Sequence, residues 1–266
     1  RPDVGKYNWN LLFPFAGVIL GCMIVALTLS IMEGMEHSIF TKLKQISFPG
    51  KIENISSVVA NDLENFLENN GLLYQKGIED QIIIMNGSNF RLATIHGIEK
   101  FQEFRENVFD LDVHELSNKS NLSRAYIGRS LSIKLDITIG DTVMIVHPKN
   151  INIFTGLPNR KQMIIYGIFE MKILDYDQQH IFCQYNEIND FLPKSRNNLY
   201  LDRSLDNEQS FLFQQKFPEL QYKFWEEKHQ SFISAMKLEK FTYTIIGFLI
   251  VSIAGFTLMS MMSLSV

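Results

Sequence analysis

The chain has 266 residues, 46% of them hydrophobic, and a formal charge of −4 at neutral pH. That length allows one or two domains, and the weak acidity argues against a nucleic-acid partner, which calls for basic patches. The only two cysteines, Cys22 and Cys183, lie far apart and make no disulfide framework.

Leu11 to Met32 is a run of 22 residues without charge, and Tyr243 to Val266 is a second of 24. A hydrocarbon core about 30 Å thick takes roughly 20 apolar residues as a helix. Each run therefore predicts a transmembrane helix, 11–32 and 243–266, with 1–10 as a cytoplasmic N-terminus. All but two of the 25 Lys and Arg, and all but one of the 29 Asp and Glu, lie in 33–242, which leaves that stretch at −5. Ile19-Leu20-Gly21-Cys22 looks like a lipoprotein cleavage box, so a cleaved signal peptide competes for the first run. Ten more uncharged residues follow Cys22, whereas a cleaved apolar region is about 7–15 residues with polar sequence after it. Arg1 and Lys6 give a slight positive-inside bias, and long domains translocate largely regardless of charge. Both termini then share the cytoplasmic side. Membrane helices usually finish in a polar anchor, so an ending at Val266 inside an apolar run leads us to expect a longer protein.

Met32, Met35, Ile39 and Leu43 carry helical spacing past the first span, and Phe48-Pro49-Gly50 breaks it. Asn54 to Asn70 reads as a helix with Ile55, Val58, Val59, Leu63, Phe66 and Leu67 on one face, closed by Asn70-Gly71. Leu72 to Thr94 reads as two or three strands, with Asn86-Gly87 a hairpin turn. Residues 107–124 are polar and read as a loop. A short helix is expected from Tyr126 through Leu135, then a Gly140-Asp141 turn into strand Thr142–Val146. Residues 147–162, with Pro148, Gly156 and Pro158, predict an exposed hairpin. Strands are expected at Met163–Phe169, Gln179–Gln184 and Asn198–Asp202, and a helix at 206–217. From Phe224 onward Trp225, His229, Phe232, Met236 and Lys240 keep helical spacing, which predicts one continuous helix into the second span. The fold class is α+β: two transmembrane helices flank a domain with a split βαβ (porter-like) unit, about 45–106 and 195–224, and an inserted β-rich subdomain, about 107–194. A connecting helix, 225–242, joins it to the second span.

No Gly-rich phosphate loop, Gly-x-Ser-x-Gly elbow or His-Glu-x-x-His helix occurs, so no catalytic residues are assigned. Asp175, Asp177, His180 and Cys183 are close in sequence. They mix hard carboxylates with a soft thiol at a spacing that fits no structural zinc pattern, so they read as strand-edge polar residues with a buried cysteine. The other histidines read as surface or helix residues. Asn54, Asn86, Asn118 and Asn121 open Asn-x-Ser sequons with nothing else to suggest glycosylation. Gly17-x-x-x-Gly21 in span one, and Gly247 and Gly255 in span two, allow close helix contact.

Three stretches in order resemble the LolC/LolE permeases, within a superfamily that includes MacB and FtsX. The first is Asn10 to Ile46, with Gly17-Val18-Ile19-Leu20-Gly21 and then Leu29 through Glu36. The second is Ile127-Gly128-Arg129-Ser130-Leu131 followed by Ile139-Gly140-Asp141-Thr142-Val143. The third is Trp225-Glu226-Glu227, Phe232, Ala235-Met236-Lys237-Leu238-Glu239-Lys240 and the span beyond. Where that family reads Ala-Phe-Asn-Ile in span two, this chain has Ala254-Gly255-Phe256-Thr257, without the Asn.

The resemblance implies a multi-pass bacterial inner-membrane permease subunit with its large domain in the periplasm. It would take lipoproteins from the membrane and hand them to a soluble periplasmic carrier. Its partners would be a cytoplasmic ATPase, which holds the ATP and Mg, and a second permease subunit, in a homodimer or heterodimer. No cofactor is implied in this chain and no enzymatic activity of its own. The family's protruding hairpin docks the carrier, and here Pro148, Phe154, Thr155, Gly156, Leu157, Pro158, Arg160 and Lys161 match it. Trp225, Phe232, Met236, Glu239 and Lys240 fall on the helix that would transmit motion into the membrane. The alternatives are a MacB-type efflux permease and a two-span sensor or interaction ectodomain.

Overall fold

The computed structural model describes residues 9–53, 55, 59–112, 122–151, 156–193 and 197–264. Two compact units result: residues 42–228, and the segments 1–41 and 229–266.

The second unit consists of two long helices. Helix α1 runs Trp9–Ser47 and its last turns belong to the 42–228 domain. Helix α8 runs Gln230–Leu264. Ala16–Ser47 and Gln230–Thr257 contain stretches long and apolar enough to cross a membrane. At 1.5 Å per residue, 39 residues make a helix of roughly 58 Å, longer than a hydrocarbon core of about 30 Å. Their apolar side chains are mostly exposed, with Ile31, Phe248 and Phe256 among the most accessible, as lipid-facing residues would be.

In the domain, strand β1 (Gly50–Glu53) is followed by α2 (Ala60–Asn69) and β2 (Tyr74–Asn86). Later in the chain β9 (Asn197–Leu201), α6 (Asn207–Lys216) and β10 (Gln221–Phe224) follow one another. The strand order is β10-β1-β9-β2, every neighbouring pair antiparallel. Each β-α-β unit thus brackets one strand of the other, which is the interlocked split βαβ arrangement. Leu63, Phe66 and Leu67 of α2 and Phe213 of α6 pack on Ile52, Leu199 and Leu201 to form its core. Helix α2 starts at Ala60 and ends where the Leu72 amide donates back to Leu67 O, with Gly71 at φ +63° supplying the left-handed residue that closes a helix. A capping box of Asp206 and Gln209 starts α6.

Between β2 and β9 the chain inserts β3 (Asn89–Ile98), α3 (Phe101–Val108), β4 (Asp110–Asp112), β5 (Ser123–Gly128), α4 (Arg129–Leu135), β6 (Thr142–Ile151), β7 (Pro158–Glu170), α5 (Leu174–Gln179) and β8 (His180–Gln184). In strand order the insertion therefore begins at the turn after β2. The pairings β2-β3, β3-β8, β8-β5, β5-β7, β7-β6 and β6-β2 close on themselves. Six strands thus form a ring, filled by Ile78, Ile82, Ile84, Ile95, Ile127, Val143, Ile145, Met163, Ile165 and Ile181. Gly140, at φ +98°, and Asp141 turn the chain into β6. The Asp141 carboxylate accepts from the Thr138 amide at 2.7 Å and its hydroxyl at 2.9 Å, so this Gly-Asp pair needs both its backbone conformation and its side chain.

Several expectations shift. Tyr126–Gly128 is strand, and the helix expected from Tyr126 starts at Arg129, because residues 123–128 are drawn into the ring between β7 and β8. Part of the loop expected at 107–124 is ordered: Phe101 and Phe104 bury one face of α3, and β4 pairs with β7. The helix expected without a break from Phe224 is strand at Phe224, a single turn (α7, Trp225–Lys228), and then α8 from Gln230. Pairing of β10 with β1 claims Phe224.

Candidate functional site

The expected hairpin is formed by the arms of β6 and β7, in register from Thr142–Ile164 to Val146–Arg160 and again at Ile151–Pro158. Phe154 and Thr155 lie outside the described residues. Pro148, Gly156, Leu157 and Arg160 are exposed, Leu157 by 56%. Lys161 turns the other way and its ammonium donates to Glu187 O in the turn after β8, which leaves Arg160 as the outward cation of that pair. The foot is pinned. His147, read from sequence as a surface residue, is buried, and its Nε2 lies 2.9 Å from Asp80 Oδ2. Asn150 donates to Phe191 O at 2.9 Å.

In the helical unit the four glycines divide. A Cβ on Gly247 would come within 2.7 Å of Val25 Cγ1, and one on Gly21 would touch Ile250 at 3.6 Å. Gly17 and Gly255 have nothing near. Close contact therefore runs through Gly21 and Gly247. Lys240 Nζ lies 3.3 Å from Glu36 and 3.6 Å from Glu33, an ion pair across the two helices. Met236 is buried, while Phe232 and Glu239 are exposed. Trp225 lies on α7, apart from the helix that carries the other four.

Asp175, Asp177, His180 and Cys183 do not converge, and no metal-binding group is found among the described residues. The Asp177 carboxylate accepts from the Met171 and Lys172 amides at 2.8 and 3.1 Å. Cys183 faces the ring core, where burial pushes its thiol pKa up.

A cluster that sequence spacing did not reveal lies on the outer face of β1, β2 and β3. Glu79 sits directly opposite His96 in the β2–β3 register. Its carboxylate is 2.9 Å from Lys51 Nζ, 3.0 Å from Lys228 Nζ and 3.7 Å from His96 Nδ1. Burial disfavours the Glu79 charge, but the ammonium groups of Lys228 and Lys51 outweigh it and hold the carboxyl well below the usual range. Burial also opposes the Lys51 charge; Tyr200, Glu79 and Glu53 reverse that and raise its pKa. His96 is the opposite case: full burial holds its pKa well below the ordinary histidine value, so it is neutral. His96 Nε2 meets His180 Nδ1 at 2.6 Å, and the His180 ring stacks on Tyr176. The Tyr176 hydroxyl meets the Ser47 hydroxyl at 3.2 Å. With the Nδ1–H of His96 turned toward Glu79, each ring offers a donor to its neighbour along the chain from Glu79 to His180. Gly77 is required here, since the Tyr200 ring occupies the space a Cβ would take. Phe48 ends α1 at φ +58° and stacks on Tyr200 with centroids 4.4 Å apart. That left-handed conformation is unusual for a bulky residue, and the stack holds it.

These features define an α+β domain bracketed in sequence by two helices able to cross a membrane. No family model matches the chain, and no curated protein matches it. Among solved structures it is similar to the extracellular domain of the noncanonic ABC-type transporter YknZ from Gram-positive bacteria. The TM-score is 0.39 and the identity 11%, over 65% of this chain and 98% of that one. It is also similar to a domain of a Porphyromonas gingivalis protein described as a permease, with a TM-score of 0.32 and 15% identity, over 59% of this chain and 75% of that one.

Proposed function

We propose that the chain is a permease subunit of an ABC transporter that extracts lipoproteins from the inner membrane and passes them to a periplasmic carrier. The observation that carries this reading is the combination of two apolar helices, each long enough to continue past the bilayer, with an interlocked split βαβ domain that projects a β-hairpin from an inserted ring. The sequence resemblance to LolC/LolE permeases points the same way. Each buried CH₂ of an acyl chain contributes about 0.8 kcal/mol of membrane affinity, so multiply acylated proteins do not leave unaided. ATP hydrolysis on a separate cytoplasmic subunit would supply that work, through a pair of permease subunits. The hairpin, on which Leu157 and Arg160 are exposed, is together with the neighbouring sequence position Phe154 the proposed carrier-docking element, and α8 is the proposed transmitter.

The test is binding of the chain, held in lipid nanodiscs, to the lipoprotein carrier of the same organism. Phe154→Ala and Arg160→Glu are expected each to weaken binding at least about tenfold, as removal of an interface anchor does. Absence of binding by the intact chain would rule out carrier docking and favour a MacB-type permease.

A further inference from the structure

We propose that Asn150 and Lys161 are positioning residues that fix the direction in which the β6–β7 hairpin points. The proposal rests on the carrier-docking reading above and adds to it which hairpin residues hold and which bind. The two arms are in register from Thr142–Ile164 to Val146–Arg160 and again at Ile151–Pro158. Between those stretches His147, Pro148, Lys149 and Asn150 stand opposite Asn159 alone. An excursion of this kind bends its strand and re-aims its side chains. Pro148, with no amide hydrogen to donate, suits such a place. At the same point β6 loses its other neighbour, since its pairing with β2 ends at Val146. Beyond Val146, side chains tie the arms to the rest of the domain.

His147 Nε2 lies 2.9 Å from Asp80 Oδ2 on β2, Asn150 donates to Phe191 O at 2.9 Å, and Lys161 on the other arm donates to Glu187 O. The last two acceptors belong to one segment. After β8 the chain makes a short helical turn, Tyr185–Glu187. The Ile188 amide then donates to Tyr185 O, and the Phe191 and Leu192 amides donate to Ile188 O. Ile188, Phe191 and Leu192 are buried in the ring core, so both carbonyls sit on an anchored platform. One donor from each arm grips it. The hairpin cannot swing from the ring or roll about its own axis without breaking one of these bonds and leaving a carbonyl unpaired. The adjacent cations thus differ: Arg160 faces outward, while Lys161 is committed within the domain. A pre-aimed hairpin matters for binding, because apparent affinity falls with the fraction of molecules in the competent orientation.

The test uses the full chain in nanodiscs, with spin labels at Lys149→Cys and Ser88→Cys in a Cys22→Ala background. Cys183 is buried and stays unlabelled. The width of the label-to-label distance distribution is expected to grow about twofold or more in Lys161→Met and in Asn150→Ala, as when a local element is released. Lys161→Arg, which keeps a cationic donor, is expected to restore the width, and Arg160→Glu to leave it unchanged. Hydrogen exchange at residues 163–169 should stay constant, which separates a loosened hairpin from a misfolded domain. Lys161→Met is also expected to weaken carrier binding by about threefold to tenfold, through slower association. The proposal is overturned if Lys161→Met and Asn150→Ala leave the width unchanged, if Lys161→Arg behaves like Lys161→Met, if Arg160→Glu broadens the distribution equally, if residues 163–169 open as well, or if the hairpin loosens while carrier affinity holds. If the intact chain does not bind the carrier, the carrier reading falls and takes the docking role of these residues with it. The distance distributions then still decide whether the hairpin is braced, so the two failures are distinct.

Discussion

The two faces of the ring strands are made of opposite materials. Facing inward, β2 presents Ile78, Ile82 and Ile84, β3 presents Ala93 and Ile95, and β8 presents Ile181 and Cys183. Facing outward one residue along, the same strands present Glu79, His96, and His180 with Phe182. Side chains alternate with period two, so a single strand serves an aliphatic core and a charged, aromatic cluster at once. The inner face needs only volume and shape, and aliphatic residues of similar size satisfy it. The outer cluster needs each donor matched to an acceptor. A partly satisfied buried network is worse than an apolar one. The inner face therefore tolerates graded changes of volume, and the outer one does not tolerate loss of a partner.

The largest effect should come from breaking the outer face at its centre. Glu79→Gln leaves Lys51 buried with Glu53 as its one carboxylate and removes the negative charge that Lys228 also faces. We expect a loss of about 3–5 kcal/mol, the usual cost of stranding a buried charge, measured by chemical denaturation of the detergent-solubilised chain. The double substitution Glu79→Gln, Lys51→Met should recover much of that loss, because both charges leave together. A double variant no better than the single one would mean that the cluster is not organised around that pair.

The inner face should respond differently. Ile165→Ala, at a side chain with no exposure, is expected to cost about 2–5 kcal/mol through lost burial and the cavity left behind. Ile165→Val should cost only about 0.5–1.5 kcal/mol. That graded response contrasts with the all-or-none response expected at Glu79. A conservative Glu79→Asp that proved as mild as Ile165→Val would erase the distinction between the faces.

The inner face was more legible in the sequence than the outer. The uncharged runs, the stop at Phe48-Pro49-Gly50, the Asn86-Gly87 turn and the strand at Met163–Phe169 all follow from local pattern, and so does the split βαβ class. Ring closure does not. It depends on parallel pairing of β3 with β8 and of β5 with β7, between segments far apart in the chain. Tyr126–Gly128 read as helix because the strand that recruits it comes about 40 residues later. The Glu79 cluster was invisible for the same reason. Lys51, Glu79, His96, His180 and Lys228 have no spacing that marks them, and each alone reads as a surface residue of an ordinary strand or helix. The one hint was at His96, which interrupts the mostly apolar end of β3; Glu79 sits beside Asp80 and Gln81 and carries no such mark.

The smallest effect, and the one most specific to the outer face, is in pH dependence. His96 is held neutral by burial, with its pKa lowered well below 6.5, against an ordinary value of about 6.5 in the unfolded chain. The unfolded chain therefore binds more protons below that value. The His96 contribution to stability is complete above about pH 6.5 and is lost as the pH falls below it, by at most about 1.4 kcal/mol per pH unit for one group. Glu79 is lowered too, but its contribution is complete above the ordinary carboxylate value of 4.5 and is lost only below that. Between those limits His96 titrates only in the unfolded chain, while Glu79 and Lys51 hold their charges in the fold. Stability measured from pH 7.5 to 5 should fall more steeply in the wild-type chain than in His96→Gln. Equal slopes would mean that His96 protonates as freely inside the cluster as in water, which its contact with His180 and its stack on Phe182 leave no room for.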